Sequence, residues 1–445
     1  MAVLFFCVPV IAEAQSPPAA DFTTNFRTDR WTEDWRIKDA PAWKSIQLPG
    51  GIAHLSFGGD THIRFEHKDA FAFGTTQEGA RTNLIGRALV HADFRYGSNF
   101  RTYVELGVWD QAGKPDGLFF DEADLALQRA FVDVVPDDHW TIRIGRQAVF
   151  DRSSRLLRAA DALNYQQVFD GVHIDYRSDG SVAEAYIVEP FISKNGYFKR
   201  FEGFGDGRWS GGSYRRTSRT IKGLSYGVYG VWIDRDVVAF LRVPGSEHRG
   251  VGVARMTYDA GSWRSSVEYG RQFGQVGVNP IEAWAFANEL SVKLDNAGHW
   301  HASLRLDGAS GDRAETVANE SWAPAFGGTF NLGRNGVYGA TNIIGAYPEL
   351  SWQATRDLRF AIGGEHVWRV SDGAVFGGPG GDALLSAGAT GDMFILNGAN
   401  VGLKWRLSGT HEVRANLFAL SPKGAFRQSG GEQIRGLTLN MISRF

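Results

Sequence analysis

Residues 53–66 read Ala-His-Leu-Ser-Phe-Gly-Gly-Asp-Thr-His-Ile-Arg-Phe-Glu. Ala53, Leu55, Phe57, Ile63 and Phe65 fall on one side of an extended chain, and Asp60, His62, Arg64 and Glu66 on the other. A period of two marks a strand, because successive side chains point to opposite faces. The split recurs outward from this stretch. Leu84, Ala88, Val90, Ala92, Phe94 and Tyr96 alternate with Arg87, His91, Asp93 and Arg95. Phe100, Val104, Leu106 and Val108 alternate with Arg101, Tyr103 and Glu105, and Trp140, Ile142 and Ile144 with Thr141, Arg143 and Gln147. Later strands repeat it at Trp263–Tyr269, Leu290–Leu294, Trp300–Leu306, Leu358–Ile362 and Val401–Leu407. In Leu125–Val134 and Leu224–Asp234 either face could be the apolar one.

Soluble sheets alternate too, so three further features decide the class. Many apolar faces carry an aromatic near a strand end (Tyr96, Trp140, Trp263, Tyr269, Trp300 and Trp405), as interfacial girdles require. The opposite faces mix arginines with acids, which suits a wet lumen. The chain then stops on Leu437, Leu439, Met441, Ser443 and Phe445, alternating with Thr438, Asn440 and Arg444. That ending resembles the closing strand of outer-membrane barrels, with Ser443 where an aromatic is more usual. The expected fold is all-β: a transmembrane antiparallel barrel. At roughly 22–26 residues per strand with its connections, residues 50–445 give about 16–18 strands. Arg200–Arg219, Gly308–Gly336 and Ser371–Gly391 read as external loops.

Composition agrees. The 445 residues carry 47 Lys+Arg against 49 Asp+Glu, which excludes a general polyanion-binding coat, and no nucleic-acid partner is expected. Lysine supplies ten of the basic residues and arginine the rest. The N-terminal apolar run ends in Ala12-Glu13-Ala14, an A-x-A pattern, so residues 1–14 read as a signal peptide, although they lack its usual basic start. Residues 15–49 are then a periplasmic segment ahead of the barrel at 50–445. The single Cys7 falls inside the signal peptide, so no disulfide holds the mature chain.

Several segments together resemble the alginate-export family of outer-membrane barrels. They are Arg30-Trp31 with Glu33-Asp34-Trp35; Trp43-Lys44 with Ile46 and Leu48; and Gly58-Gly59-Asp60 with Arg64-Phe65-Glu66. The most specific order follows: Gln128-Arg129-Ala130-Phe131, Ile144-Gly145-Arg146-Gln147, Arg155-Leu156-Leu157 and Phe169-Asp170-Gly171-Val172. Ala309-Ser310-Gly311-Asp312 and Val367-Trp368-Arg369 with Ser371-Asp372-Gly373 also fit. The resemblance implies 18 strands and passage of an anionic polyuronate.

A channel for such a polymer needs cations along its wall, and arginine suits because its planar fork pairs carboxylates bidentately. Lys44, Arg64, Arg129, Arg146 and Arg369 lie in the family-like motifs; alternation adds Arg87, Arg143 and Arg359, and Arg152 sits in a stretch that could fold into the lumen. These nine are the candidate pore residues. The competing reading is that they pair with Asp60, Glu66, Asp93, Glu105, Asp133 and Asp175 to neutralise the wall. His54 and His62 share a face that His67 does not, which is poor metal geometry. His173 and Asp175 share a face, but no nucleophile is marked, so no enzyme activity is expected. The acidic clusters Glu33–Asp39 and Asp121–Asp124 lack the spacing of a Ca²⁺ loop. No cofactor or metal is expected. Expected partners are the anionic polysaccharide, outer-membrane lipid and a periplasmic scaffold of a secretion complex, with the barrel a monomer. Uptake of acidic oligosaccharides is the alternative function.

Overall fold

A computed structural model describes residues 26–27, 29–37, 40–76, 78–114, 121–149, 154–157, 166–200, 207–238, 245–325, 332, 334–378 and 383–445. The proposed signal peptide and Arg152 lie outside these residues. After the two-residue β1 (Ile46–Gln47) come β2 (Ala53–Lys68), β3 (Arg81–Tyr96), β4 (Phe100–Ala112), β5 (Ala123–Val134), β6 (Trp140–Gln147) and β7 (Val168–Ser178). Next are β8 (Ser181–Phe191), β9 (Gly207–Thr217), β10 (Leu224–Val238), β11 (Gly245–Asp259), β12 (Trp263–Val276), β13 (Asn279–Lys293) and β14 (Trp300–Ala309). Then follow β15 (Ile343–Thr355), β16 (Leu358–Trp368), the short β17 (Phe376–Gly377) and β18 (Ala383–Leu385), β19 (Phe394–Arg406), β20 (His411–Pro422) and β21 (Ile434–Arg444).

Eighteen of these strands form the barrel wall, each antiparallel to its neighbours in sequence. The sheet closes on itself where β2 pairs β21, with Asp60 opposite Arg444 and Lys68 opposite Gly436. Closure satisfies every edge within the sheet, the condition for crossing a bilayer with strands. One end carries short turns and both termini of the wall; the other carries the long connections.

The outer surface follows the alternation. Phe57, Ile63, Leu84, Val90, Val104, Val228, Ile362 and Val401 are all exposed, a band that only lipid can cover. Aromatics rim both sides of it. At the short-turn end Trp140 meets Tyr176, Tyr258 meets Trp263, and Trp352 stacks between Trp300 and Phe360. At the long-loop end Trp232 meets Phe273, Trp284 stacks on Phe286, and Trp368 meets Phe394. In β14, Trp300 lies in the first girdle, and Gly308 stands opposite Phe286 of the second. At about 3.4 Å per residue and about 40° tilt, those eight steps span about 20 Å, close to the hydrocarbon band.

The interior is not uniformly polar. Tyr229, Val231 and Ile233 of β10, Val251 and Val253 of β11, and Ala283, Ala285 and Ala287 of β13 point inward. They pack against Trp322, Ala325, Leu332, Val337 and Tyr338 from the 310–342 connection and Phe376, Leu384 and Leu385 from the 369–393 connection. Each large aliphatic or aromatic side chain among them contributes about 1.5–3 kcal/mol on burial. The described residues of both connections thus fold inward against the wall. The third expected loop needs a larger correction: its residues 207–217 are strand β9, paired with β8 and β10. Its lipid-facing positions hold Ser210 and Gly212 beside Tyr214, so no apolar alternation shows.

Candidate functional site

The lumen-facing charges of β2–β7 form a connected wall. Arg101, Asp133 and Arg143 are direct cross-strand partners on β4, β5 and β6, so register alone alternates their signs. Arg101 donates to Asp93 through Nε at 2.8 Å and Nη2 at 3.0 Å and approaches Asp133 at 3.5 Å. Arg143 grips Asp133 bidentately at 2.6 and 2.8 Å. Arg95 extends the ladder from Asp93 to Asp34.

Deeper in, residues from five segments meet at one node. Arg30, from the chain ahead of the barrel, donates to Glu105 at 3.0 Å, pairs with Asp60 and reaches Gln166 at 3.3 Å. Arg129 pairs with the same Glu105 and donates to Gln166 at 2.7 Å. Trp31 covers the Arg129 guanidinium at 3.9 Å, and Tyr103 donates its hydroxyl to Glu105 at 2.9 Å. Burial alone would weaken the Arg30 cation, but Asp60 and Glu105 more than offset it and raise its pKa. The N-terminal segment is therefore seated inside the short-turn mouth.

Lys44 anchors the same segment. Its side chain is 0 % exposed, its Nζ donates to the Phe445 carbonyl at 2.7 Å, and Phe26, Trp35 and Trp43 surround it at 4.6–5.0 Å. Burial brings its pKa down to about 8, with Glu33 at 3.9 Å only partly opposing the fall. Burial likewise pushes the Glu33 carboxyl up, against hydrogen bonds from the Arg27 N–H and the Trp35 indole.

The other candidate pore residues that the structure describes, which leaves out Arg152, point inward and differ in reach. Arg64 is bound to Glu66 at 2.7 Å, and Arg87 lies buried on β3. Arg129 is 1 % exposed at the node. Arg146 grips Asp170 at 2.8 and 2.9 Å and lies over the Phe191 ring. Arg359, 25 % exposed, bonds Glu349 at 3.2 Å and Ser351 at 3.0 Å. Arg369 is buried and donates to the Gly391 carbonyl. Arg129, Arg143 and Arg146 are brought together on β5 and β6; Arg359 stands on β16 in a distant arc of the wall, and Arg369 just beyond the end of that strand. The candidate set left out Arg30 and Gln166, and also Arg95 and Arg101, although alternation placed both of these on the polar face. Arg30 stood in a quoted motif, but only the fold carries it to Glu105.

With this geometry in view, comparison with known proteins adds the relationship. The family model described as alginate export matches residues 53–419. The chain belongs to the alginate export family. No curated protein matches its sequence. Among solved structures, Pseudomonas aeruginosa OccK2 (OpdF) in complex with glucuronate superposes with TM-score 0.60 at 13 % identity, over 90 % of this chain and 98 % of that one. P. aeruginosa opdK gives TM-score 0.59 at 13 % identity, over 88 % and 99 %. OccD3 (OpdP) of the same organism gives 0.60 at 13 %, over 91 % and 93 %. At such identity these neighbours share the fold. This alginate-export-family barrel is an outer-membrane channel of a Gram-negative bacterium.

Proposed function

We propose that the barrel passes an anionic polysaccharide, a polyuronate such as alginate, outward by facilitated diffusion. The observation that carries this reading is the form of the lumen charges. Arg143 and Arg146 are each held bidentately by a wall carboxylate, and Arg359 by Glu349. A sugar carboxylate arriving at such a fork replaces one carboxylate partner with another, so the exchange is nearly balanced in energy. Balanced exchange lets the polymer bind without stalling, as conduction requires. The complex of OccK2 with glucuronate is a uronate in a barrel of this fold, which supports the class of cargo. Synthesis on the periplasmic side and the resulting gradient supply the drive, and no cofactor enters.

Planar-bilayer reversal potentials test the reading. At about 6 Å, a wall charge acts on a passing anion with about 0.7 kcal/mol in bulk water, roughly halved by physiological salt. Arg143→Glu or Arg146→Glu changes the local charge by two units, which costs a passing anion about 0.7 kcal/mol and favours a cation by as much, so the anion/cation permeability ratio falls about 10-fold. An unchanged ratio in both variants rejects the role of these arginines.

A further inference from the structure

His173 and Asp175 share the inward face of β7, and the pairing of β7 with β8 sets Glu184 directly opposite Asp175. Two carboxylates opposed across a ladder repel unless a cation lies between them. Arg177 approaches Asp175 Oδ1 at 3.6 Å, while Arg215 and Ser213 donate to Glu184 at 2.8 and 2.7 Å. The remaining side of the cluster is different. His173 is 9 % exposed, and its Nδ1 makes no hydrogen bond. It points at Asp175 Oδ2 from 3.7 Å, too far to bond. One donor atom from each of His173, Asp175 and Glu184 lies within 4.8 Å of the others. A cavity about the size of one water opens beside them, bounded by His173, Glu184, Tyr186 and Ser213 from the wall and by Ser154 and Leu157 from the stretch between β6 and β7.

We propose that His173, Asp175 and Glu184 bind one divalent transition-metal ion of the Zn²⁺ class in the lumen wall. The chemistry fits: one imidazole nitrogen and two carboxylate oxygens suit Zn²⁺, and three protein ligands leave a fourth position for water. With bonds of about 2.0–2.1 Å, tetrahedral ligand atoms stand about 3.3 Å apart. The His173–Asp175 gap of 3.7 Å is already close to that, and small side-chain rotations bring in Glu184. The strands hold the donors on a rigid ladder, and each carboxylate keeps lone pairs beyond those its arginine uses. Asp175, Glu184, Arg177 and Arg215 together are neutral; the ion adds two positive charges to this stretch of wall.

The test is calorimetric titration of ZnCl₂ into detergent-purified, EDTA-stripped full-length protein, with Co²⁺ as a spectroscopic substitute. One saturating site with tetrahedral Co²⁺ absorption is expected. His173→Ala should weaken it more than about 100-fold, beyond the loss of an outer partner. Glu184→Gln keeps the shape and should also weaken it, while His67→Ala, at a half-buried histidine of β2 bonded to Thr82, should not. Heat-modifiable gel mobility shows that each variant is a folded barrel. Absence of a saturating site in the wild type overturns the proposal. So does a site that survives His173→Ala, or one that His67→Ala removes.

Discussion

Replacing Arg30 with alanine should release the N-terminal segment while leaving the barrel intact. The wall is held by its own ladder of strands, whereas residues 26–47 are held largely by Arg30, Glu33, Trp35 and Lys44. Arg30 pairs with Asp60 and donates to Glu105 in a site sealed from solvent. Removing one partner of a buried ion pair costs about 3–5 kcal/mol, because the other charge stays buried. Glu105 keeps Arg129, so the loss falls mainly on Asp60 and the lower figure applies. About 3 kcal/mol raises the undocked population about 100-fold. Trypsin cleavage after Arg27 or Arg36 in the folded, detergent-solubilised barrel reads that population when docking is fast relative to cutting. Arg36→Ala is the control. Its pair with Asp34 at 2.7 Å is 37 % exposed on the arginine side and worth at most about 1 kcal/mol, a change under about 5-fold. Equal cleavage of Arg30→Ala and wild type, followed at Arg27, would refute the assignment of Arg30 as the anchor.

Three further outcomes follow from the same contacts. Lys44 has a folded pKa of about 8 against an ordinary 10.5, so the undocked state binds more protons between those values. Protection of the segment from trypsin should therefore rise as pH goes from about 8 to about 10.5 and stay flat below 8; Lys44→Met should abolish the slope. Trp322→Ala should cost about 3–5 kcal/mol of local packing, so that the 310–342 connection becomes protease-sensitive and single-channel conductance rises, while heat-modifiable mobility is kept. Glu268 accepts from Ser154 Oγ at 3.1 Å and from the Arg155 and Leu156 amides at 2.9 and 3.3 Å. Glu268→Gln should loosen residues 154–157, which lie between β6 and β7, by about 1–3 kcal/mol, seen as faster amide exchange at Arg155–Leu157.

The barrel was legible because lipid selects one face of every strand. Where the pattern blurred, the structure supplies the cause. In β5 a bulge between Leu127 and Arg129, opposite Leu106 and Glu105, changes which residues face in, so no single alternation runs through it. In β10 both faces are apolar because Tyr229, Val231 and Ile233 cover the inward connections while Tyr226, Val228 and Trp232 face lipid. In β9 glycine and serine on the lipid side hid a strand inside a loop-like composition. The site was half legible. Inward arginines such as Arg129 and Arg143 followed from alternation and motif, and their carboxylates stood among the competing partners. The meeting of Arg30 with Glu105, 75 positions apart, is a product of closure and of the segment's path into the mouth; no local spacing encodes it.

The central claim is that lumen forks exchange their wall carboxylates for those of a passing uronate. Current through single barrels in a planar bilayer, recorded while uronate oligomers are added, tests it most directly. The account predicts an anion-selective current that uronate oligomers interrupt and neutral glucose oligomers of equal length do not, with interruptions shortened in Arg143→Glu. Cation selectivity, or equal block by neutral and acidic oligomers, would contradict it.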